Sequence, residues 1–345
     1  MGKVNVQKMK EIVQSSNINF LIGSGLSTPF LPVLNDIETR LTAEKDEAKK
    51  IEIYKEYFQK VMLPNKKIVD CSIDKSAGSD FQKTYTNYKD FFILISLILL
   101  KRKSTILSKQ ANVFTANIDI VIETVLEACN LNYNDGFSGQ LNPSFNLSNF
   151  KKSIYKRSLH FENISELPVF NLVKLHGSLT WQVDGERIIF SKLTHFDESI
   201  LKKVSADFKN AYKKILVVNP DDEKFEKTVI ELTYYELLRM YSAELEKENS
   251  VLFVMGFSMA DQHIKAITLR AANSNPTLKI YIFCYLADEL DIMRENMQFD
   301  KLKYSNIEII SPEDGVSPDQ YNLDEINKNI FTQILSGIEN ETENK

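Results

Sequence analysis

Three short polar segments of this 345-residue chain each follow or close a run of apolar residues. They are LIGSGLST at 21–28, TANID at 115–119 and KLHGS at 174–178. In an α/β fold, clusters of this kind project from the carboxyl ends of strands, where ligands bind. Together they supply a glycine-rich turn, an Asn-x-Asp pair and a histidine. This set of groups suits a dinucleotide whose bond between ribose and base is to be broken.

The glycine-rich turn predicts a phosphate site. Gly23 and Gly25 let backbone amides approach a pyrophosphate closely, and Ser24 and Ser27 offer hydroxyl donors. Thr28 stands where a full Gly-x-Gly-x-x-Gly motif has its third glycine. A tight turn packed by small residues would have the same sequence, so the motif alone leaves both interpretations open.

Asn117 and Asp119 place a neutral amide and a carboxylate at the end of one predicted strand. The amide can hold a ribose hydroxyl or orient a water molecule. The carboxylate can accept hydrogen bonds from a carboxamide such as that of nicotinamide. The structural alternative is that Asn117 ends the strand and Asp119 caps the helix that follows.

His176 follows another apolar strand, and an imidazole there can take up a proton near neutral pH. A histidine in this position is also common as a purely structural residue. The company of two further polar strand ends favours the functional interpretation.

A fourth cluster, GFSMAD at 256–261, precedes a predicted helix. Ser258 and Asp261 resemble a capping box for that helix, with Asp in place of the usual Glu. The same helix N-terminus, together with Gly256 and Phe257, is also placed to face the adenosine half of a dinucleotide.

Alternating strands and helices predict an α/β fold with a Rossmann-like, mostly parallel sheet and helices on both faces. The predicted strands are 19–22, 112–116, 169–175, 215–219, 250–257, 279–285 and 307–310. Helices are predicted at 3–15, 118–130 and 226–247, and Asp184-Gly185 predicts a hairpin turn.

One domain is predicted over 1–345, with a helical insertion at about 30–108. Within it, 65–88 is predicted to be rich in loops. The apolar run 91–100 is either an ordinary core helix or part of a lid or subunit contact. An acidic, polar tail from about residue 338 is expected to be disordered.

Composition excludes several classes of function. The net charge of −5 and a pI of about 5.6 argue against direct binding of nucleic acid. Three cysteines without a Cys-x-x-Cys pair indicate neither a structural zinc site nor a disulfide framework, and a reducing cytoplasm is expected. No signal peptide is recognised, and the ten-residue apolar run is too short to span a membrane.

Taken in order, these motifs resemble the sirtuin superfamily over about residues 18–285. Sirtuins carry a GAGxS turn, a TQNID strand end, an HG pair with the catalytic histidine, and a later GTS or GSS. The matching segments here are GSGLS at 23–27, TANID at 115–119, HG at 176–177 and GFS at 256–258.

The departures from deacetylase sirtuins point to one branch of the superfamily. The zinc-binding cysteine quartet and the SGIPDFR signature are absent, and Ala116 replaces a glutamine. KLHGSLTW and GFSMADQHI are instead similar to the sirtuin-like domains of bacterial anti-phage systems. Those domains usually hydrolyse NAD and are often coupled to a HerA-type ATPase, an Argonaute-like protein or a C-terminal sensing domain.

The resemblance implies NAD as substrate and assigns roles by position. His176 would be the catalytic histidine, Asn117 would orient the ribose or the attacking water, and Asp119 would contact the nicotinamide carboxamide. The pyrophosphate would be held by Gly23, Ser24, Gly25 and Ser27, and the adenosine side by Gly256, Phe257 and Ser258.

The implied activity is hydrolysis of NAD to nicotinamide and ADP-ribose, as an effector of anti-phage defence by NAD depletion. A homo-oligomer with a separate sensor or ATPase subunit is expected, since the sequence ends soon after the last predicted strand. Two alternatives stay open. One is an NAD-dependent protein deacylase or ADP-ribosyltransferase, and the other is a nucleotide-binding sensor subunit without turnover.

Overall fold

The structure is a computed structural model that describes residues 4–32, 40–41, 43–104, 106–159, 162–193, 199, 201, 207–208, 228–312 and 321–343. The strands are β1 (Asn17–Ile22), β2 (Gln110–Thr115), β3 (Asn132–Asn134), β4 (Phe137–Ser138), β5 (Ser144–Phe145), β6 (Ile154–Arg157), β7 (Ile164–Leu167), β8 (Val169–Lys174), β9 (Trp181–Asp184), β10 (Arg187–Phe190), β11 (Ser250–Met255), β12 (Lys279–Phe283) and β13 (Ile307–Ile310).

The helices are α1 (Val6–Ser15), α2 (Glu47–Tyr57), α3 (Leu63–Val69), α4 (Asp80–Lys101), α5 (Val121–Ala128), α6 (Thr228–Glu246), α7 (Gln262–Ser274), α8 (Glu289–Asn296), α9 (Leu323–Ile326) and α10 (Thr332–Glu343). Single π-helical turns join α2 to α3 and α9 to α10. Within the described residues, no helix combines the length and apolar character needed to cross a bilayer.

The central sheet runs β13-β12-β11-β1-β2-β8-β3, and every pair in it is parallel. Without the edge strand β3, this is the strand order of the Rossmann fold. The predicted α/β fold class is therefore confirmed. The strand order reverses between β1 and β11, and such sheets bind ligands in the crevice outside the carboxyl ends of the two strands at this switch point.

Helices cover both faces of the sheet because its side chains alternate between two apolar cores. Phe20 and Ile22 lie in a core with residues of α1, α4, α5 and α10. Leu21, on the opposite face, lies in a core with residues of α6, α7 and α8. Burial on both faces explains why these strands appear in the sequence as nearly continuous apolar runs.

A row of hydrogen-bonded asparagines fixes the register of the three strands that carry most of the site. Asn19, Asn112 and Asn171 occupy paired positions on β1, β2 and β8. The Asn112 amide donates to Asn19 Oδ1 at 2.8 Å, and the Asn171 amide donates to Asn112 Oδ1 at 2.9 Å. A slip of one residue would move a polar side chain to the other face and break both bonds.

The predicted insertion contains α2, α3 and α4, but 65–88 is more helical than expected. Helix α4 begins at Asp80, eleven residues before the apolar run, with the Ser79 side chain as its N-cap. Phe81, Thr84 and Tyr88 are buried at helical spacing within this polar stretch. The run 91–100 then continues as a core helix, because most of its large side chains pack under the sheet.

The tail predicted to be disordered is instead the end of α10. Ile334, Leu335 and Ile338 are buried in the first core, which gives this polar segment an apolar stripe. Lys10 and Lys103 both pair with Glu341, at 2.5 and 2.9 Å. The helix is thus held against α1 and the end of α4.

Two further sheets lie outside the central one. β4, β5, β10 and β9 form a small sheet, and β6 pairs with β7 in a separate hairpin. In the β9–β10 hairpin Asp184 pairs with Arg187, so the turn is Gly185-Glu186 rather than Asp184-Gly185. The predicted strand 215–219 lies outside the described residues.

Replacing Ile338 by alanine tests the position of the C-terminal helix. We expect the free energy of unfolding to fall by about 2–4 kcal/mol, because a fully buried aliphatic side chain is removed from a packed core. Urea denaturation measures this loss. Gln333→Ala, on an exposed position of the same helix, should change it by less than about 0.5 kcal/mol, and equal effects of both variants would contradict the packing described here.

Candidate active site

The four predicted polar clusters leave the sheet at one edge and at one level. Ile22 pairs with Thr115 on one side and Met255 on the other, and Thr115 pairs with Lys174. Each of these four residues is the last residue of its strand, β1, β2, β11 or β8. The loops after them therefore start side by side, over the switch point of the sheet.

Glycines allow the β1 and β11 loops to touch. The amides of Gly23 and Gly25 donate to the carbonyl oxygens of Met255 and Gly256, each at 3.0 Å. A Cβ on Gly23 would lie 2.2 Å from the Gly256 oxygen, and one on Gly256 would lie 2.6 Å from the Leu26 nitrogen. Gly256 also has a φ of +61°, which favours glycine.

This contact leaves fewer free backbone donors at the predicted phosphate site. The amides of Gly23 and Gly25 are already bonded, so the packed-turn interpretation holds for them, and phosphate contact through them would require the loop to open. The Ser27 hydroxyl is buried and donates to Asp119, so it too is engaged. Ser24 is half-exposed in the same turn and remains available to a phosphate.

Asn117 joins the β2 loop to the β1 loop. Its side-chain nitrogen donates to the Gly23 oxygen at 3.1 Å and to Ser27 Oγ at 3.3 Å. Both Asn117 and Ser27 are nearly fully buried. Because both of these bonds use the amide nitrogen, Oδ1 of Asn117 is the atom left to accept a hydrogen bond from a ligand. No partner for this oxygen is found among the described residues.

Asp119 divides its carboxylate between the loop and the next helix. Oδ2 accepts from Ser27 Oγ at 3.1 Å, and Oδ1 accepts from the Val121 backbone N–H at the start of α5. The bond to Val121 ties the carboxylate to the first turn of α5, but the N-cap of that helix is Ile120, so Asp119 is not the cap that the structural alternative predicted. A carboxylate has about four acceptor positions, so Asp119 retains capacity for a further donor.

The lysine of an ion pair between Lys174 and Glu123 also contacts the Asp119 backbone. Lys174 Nζ lies 2.8 Å from Glu123 Oε1 and also donates to the Asp119 carbonyl oxygen. Burial raises the pKa of Glu123 to about 7, against the lowering effect of the Lys174 charge. The lysine at the end of β8 thereby ties the β2 loop to the strand that precedes His176.

His176 contacts a carboxylate that the sequence did not single out as its partner. His176 Nε2 lies 3.1 Å from Asp261 Oδ2, and both side chains are about one-quarter exposed, at 25% and 22%. Since β11 and β8 are separated by β1 and β2, this contact passes over the ends of two strands. The Tyr234 hydroxyl, on α6, donates to the His176 carbonyl oxygen at 3.4 Å.

Asp261 is also the N-cap of α7, so the predicted capping box with Ser258 as cap is wrong. The Asp261 side chain accepts from the His263 and Ile264 backbone N–H groups, both at 2.9 Å. Burial acts to raise the pKa of Asp261, but His176 and these N–H groups outweigh it and lower this pKa to about 2. An aspartate just before an apolar helical pattern was the available sequence signal.

The predicted adenosine-side residues lie in the β11 loop, across the switch point from the glycine turn. Phe257 is half-buried against the second core, and the Ser258 carbonyl oxygen accepts from Asn296 Nδ2 at 3.3 Å. Within the described part of the chain, no three His, Cys, Asp or Glu side chains are grouped so as to hold a metal ion.

Gly23→Ala tests the contact between the two loops. Because the new methyl group would overlap a backbone oxygen rather than a mobile side chain, we expect a loss of at least about 1–3 kcal/mol in the free energy of unfolding. Thermal unfolding followed by circular dichroism measures it. Gly337→Ala is the control, since the three atoms nearest to its Cβ all belong to the Lys10 side chain rather than to backbone. Indistinguishable melting of the two variants would argue against the glycine contact.

The chain is similar to three solved structures of Sir2 proteins. One, on the mechanism and regulation of Sir2 enzymes, has 11% identity and a TM-score of 0.41, covering 99% of this chain and 100% of that chain. A mutant Sir2 homologue in complex with 2'-O-acetyl ADP ribose has 13% identity and a TM-score of 0.47, covering 96% and 97%. A mutant Sir2 with a p53 peptide and NAD has 13% identity and a TM-score of 0.37, covering 86% and 99%.

No curated protein matches the sequence significantly. A family model described as a SIR2-like domain matches residues 111–310. This match includes β2, β8 and β11 with the loops that carry Asn117, His176 and Asp261, and it spans more than half of the chain. The protein therefore belongs to the SIR2-like family.

Proposed function

We propose that this protein is an NAD glycohydrolase that cleaves NAD to nicotinamide and ADP-ribose. Membership of the SIR2-like family implies an NAD-dependent enzyme of the general Sir2 kind, and hydrolysis is the finer step proposed here. The observation that carries the proposal is the placement of Asn117 and His176. Each lies two residues beyond the paired Thr115 and Lys174, on neighbouring strands at the switch-point edge.

The proposed reaction breaks the bond between the ribose anomeric carbon and the pyridine nitrogen. The bonding electrons leave with the base, so the pyridinium becomes neutral nicotinamide and the ribose passes through an oxocarbenium-like state. Water then forms the new bond to the anomeric carbon and loses one proton. Most of the rate enhancement in such a reaction comes from positioning and electrostatics.

Asn117 is suited to hold the ribose or the water without adding charge. Its nitrogen is fixed by Gly23 and Ser27, so the direction of its Oδ1 is set before a ligand arrives. His176 is partly exposed and would accept the proton that the water, or a ribose hydroxyl, gives up. Asp119 would accept a hydrogen bond from the nicotinamide carboxamide with its remaining acceptor capacity.

The remaining proposed contacts with NAD come from the β1 and β11 loops, one on each side of the switch point. Ser24 would bind the pyrophosphate, and the Gly23, Gly25 and Ser27 positions would shape the turn beneath it. Gly256, Phe257 and Ser258, in the β11 loop, would lie on the adenosine side. No zinc is included in this proposal, and NAD enters it as the substrate.

In the cell, this activity is proposed to deplete NAD as an effector of anti-phage defence in the cytoplasm. The support is the similarity of KLHGSLTW and GFSMADQHI to sirtuin-like domains of bacterial anti-phage systems.

A homo-oligomer and a separate HerA-type sensor or ATPase subunit belong to the same proposal. Sedimentation of the protein, alone and with the partner encoded by the neighbouring gene, tests this proposed assembly. A monomer in both conditions would count against it.

Asn117→Ala and His176→Ala are each expected to lower NAD turnover by about a hundredfold or more, the usual loss for a positioned acid–base group. Chromatography of NAD, nicotinamide and ADP-ribose after incubation measures this. Asn329→Ala is a matched control, because Asn329 is exposed and bonds only to Glu325 on its own helical segment. Control-like turnover in both site variants would remove their proposed roles.

The same assay separates hydrolysis from the alternatives. Acetyl-peptide added to the incubation would be deacetylated faster than NAD is hydrolysed if the protein were a deacylase. Calorimetric binding of NAD without release of nicotinamide, even with the partner subunit present, would indicate a sensor. We expect ADP-ribose and nicotinamide in equal amounts, with no dependence on the peptide.

A further inference from the structure

We infer that Asp261 is a positioning residue that fixes the tautomer of His176 and leaves Nδ1 of the imidazole as the proton acceptor. The inference rests on the proposed hydrolysis of NAD, since it assigns the ring atom that would take the proton. The supporting observation is that one Asp261 carboxylate oxygen binds the start of α7 while the other contacts His176.

The helix α7 holds the Asp261 carboxylate in one orientation. Its Oδ1 accepts from two backbone N–H groups, those of His263 and Ile264, at the N-terminus of a 13-residue helix. These bonds restrict rotation of the side chain and direct Oδ2 away from the helix. The second oxygen is the one that meets His176 Nε2 at 3.1 Å.

The chemistry of the pair then determines the tautomer. An ionised carboxylate can only accept a hydrogen bond, so Nε2 of a neutral His176 must carry the proton. The low pKa of Asp261, about 2, keeps the carboxylate ionised near neutral pH. Nδ1 then carries the lone pair, and no partner for it is found among the described residues. This is the division of roles that a carboxylate imposes on a catalytic histidine in hydrolases.

The backbone on both sides of the pair is fixed as well. The Tyr234 hydroxyl donates to the His176 carbonyl oxygen, and Gly177 turns the chain with a φ of +77°. In the opposing loop, Met259 has a φ of +56°, an uncommon value for a side chain other than glycine, and is fully buried. Residues on α6 and α7 thus hold a histidine that belongs to the β8 loop.

Asp261→Asn is the decisive variant because it separates the two duties of the side chain. Asparagine is as good an N-cap as aspartate, so its oxygen keeps the two helix bonds and the thermal stability should stay near that of the native protein. Its amide nitrogen would then face Nε2 as a donor. Nε2 must accept, and the proton moves to Nδ1.

We expect Asp261→Asn to lower kcat by about 10²–10⁴-fold, with KM for NAD changed less than about threefold, since a wrong tautomer affects the chemical step more than binding. Asp261→Ser also caps the helix but is too short to reach His176. It should retain more activity than Asp261→Asn, because its imidazole is free to adopt either tautomer.

Nitrogen NMR of protein labelled with ¹⁵N-histidine reads the tautomer without any assay of activity. Spectra at about pH 8.5, where histidine side chains are mostly neutral, are assigned with His176→Ala. The native protein should show His176 with a protonated Nε2 and a bare Nδ1, and Asp261→Asn should reverse this pattern. A protonated Nδ1 in the native protein, or an unchanged pattern in Asp261→Asn, would overturn the inference.

The two measurements also distinguish failure of this inference from failure of the proposed function. If the native protein shows the expected tautomer but does not hydrolyse NAD, the dyad stands and the proposed reaction fails. If NAD is hydrolysed and Asp261→Asn retains native kcat, the reaction stands and the inference fails. Should Asp261→Asn not fold, the spectrum of the native protein and the kcat of Asp261→Ser decide.

Discussion

The in-register parallel pairing of β11, β1, β2 and β8 is the constraint on which the site depends. Parallel strands bring their carboxyl ends to one edge, so residues far apart in the sequence meet there. Hydrogen bonds along the Asn19–Asn112–Asn171 row fix the register of β1, β2 and β8. Because the side-chain period of a strand is two, the row also fixes which face the residues before each loop occupy.

Beyond that edge of the sheet, the candidate site has a buried part and a partly exposed part. Asn117, Ser27 and Asp119 are at most 5% exposed and are joined by hydrogen bonds, which removes conformational freedom before a ligand binds. His176 and Asp261 are more open, and their contact crosses from one side of the switch point to the other. The site therefore combines a buried, hydrogen-bonded group of side chains with a more exposed histidine–aspartate pair.

The sequence was most informative where local patterns decide structure. Six of the seven strands of the central sheet were predicted to within a few residues, because buried parallel strands are apolar and end in polar clusters. The edge strand β3 and the short strands β4 to β7 were not predicted, since they lie in a stretch with little apolar periodicity. The start of α4 and the helical tail were missed because each has a narrow apolar stripe within a polar segment, as with Ile334 and Ile338. The Ser27–Asp119 hydrogen bond and the His176–Asp261 contact join residues 92 and 85 positions apart, and no local pattern predicts such contacts.

A crystal structure of the His176→Ala variant soaked with NAD tests the central claim most directly. We expect intact NAD across the ends of β1 and β11, with the anomeric carbon of the nicotinamide ribose facing Asn117 Oδ1 and the space left by the imidazole. NAD bound at another surface, or with its adenosine end at Asn117, would contradict it.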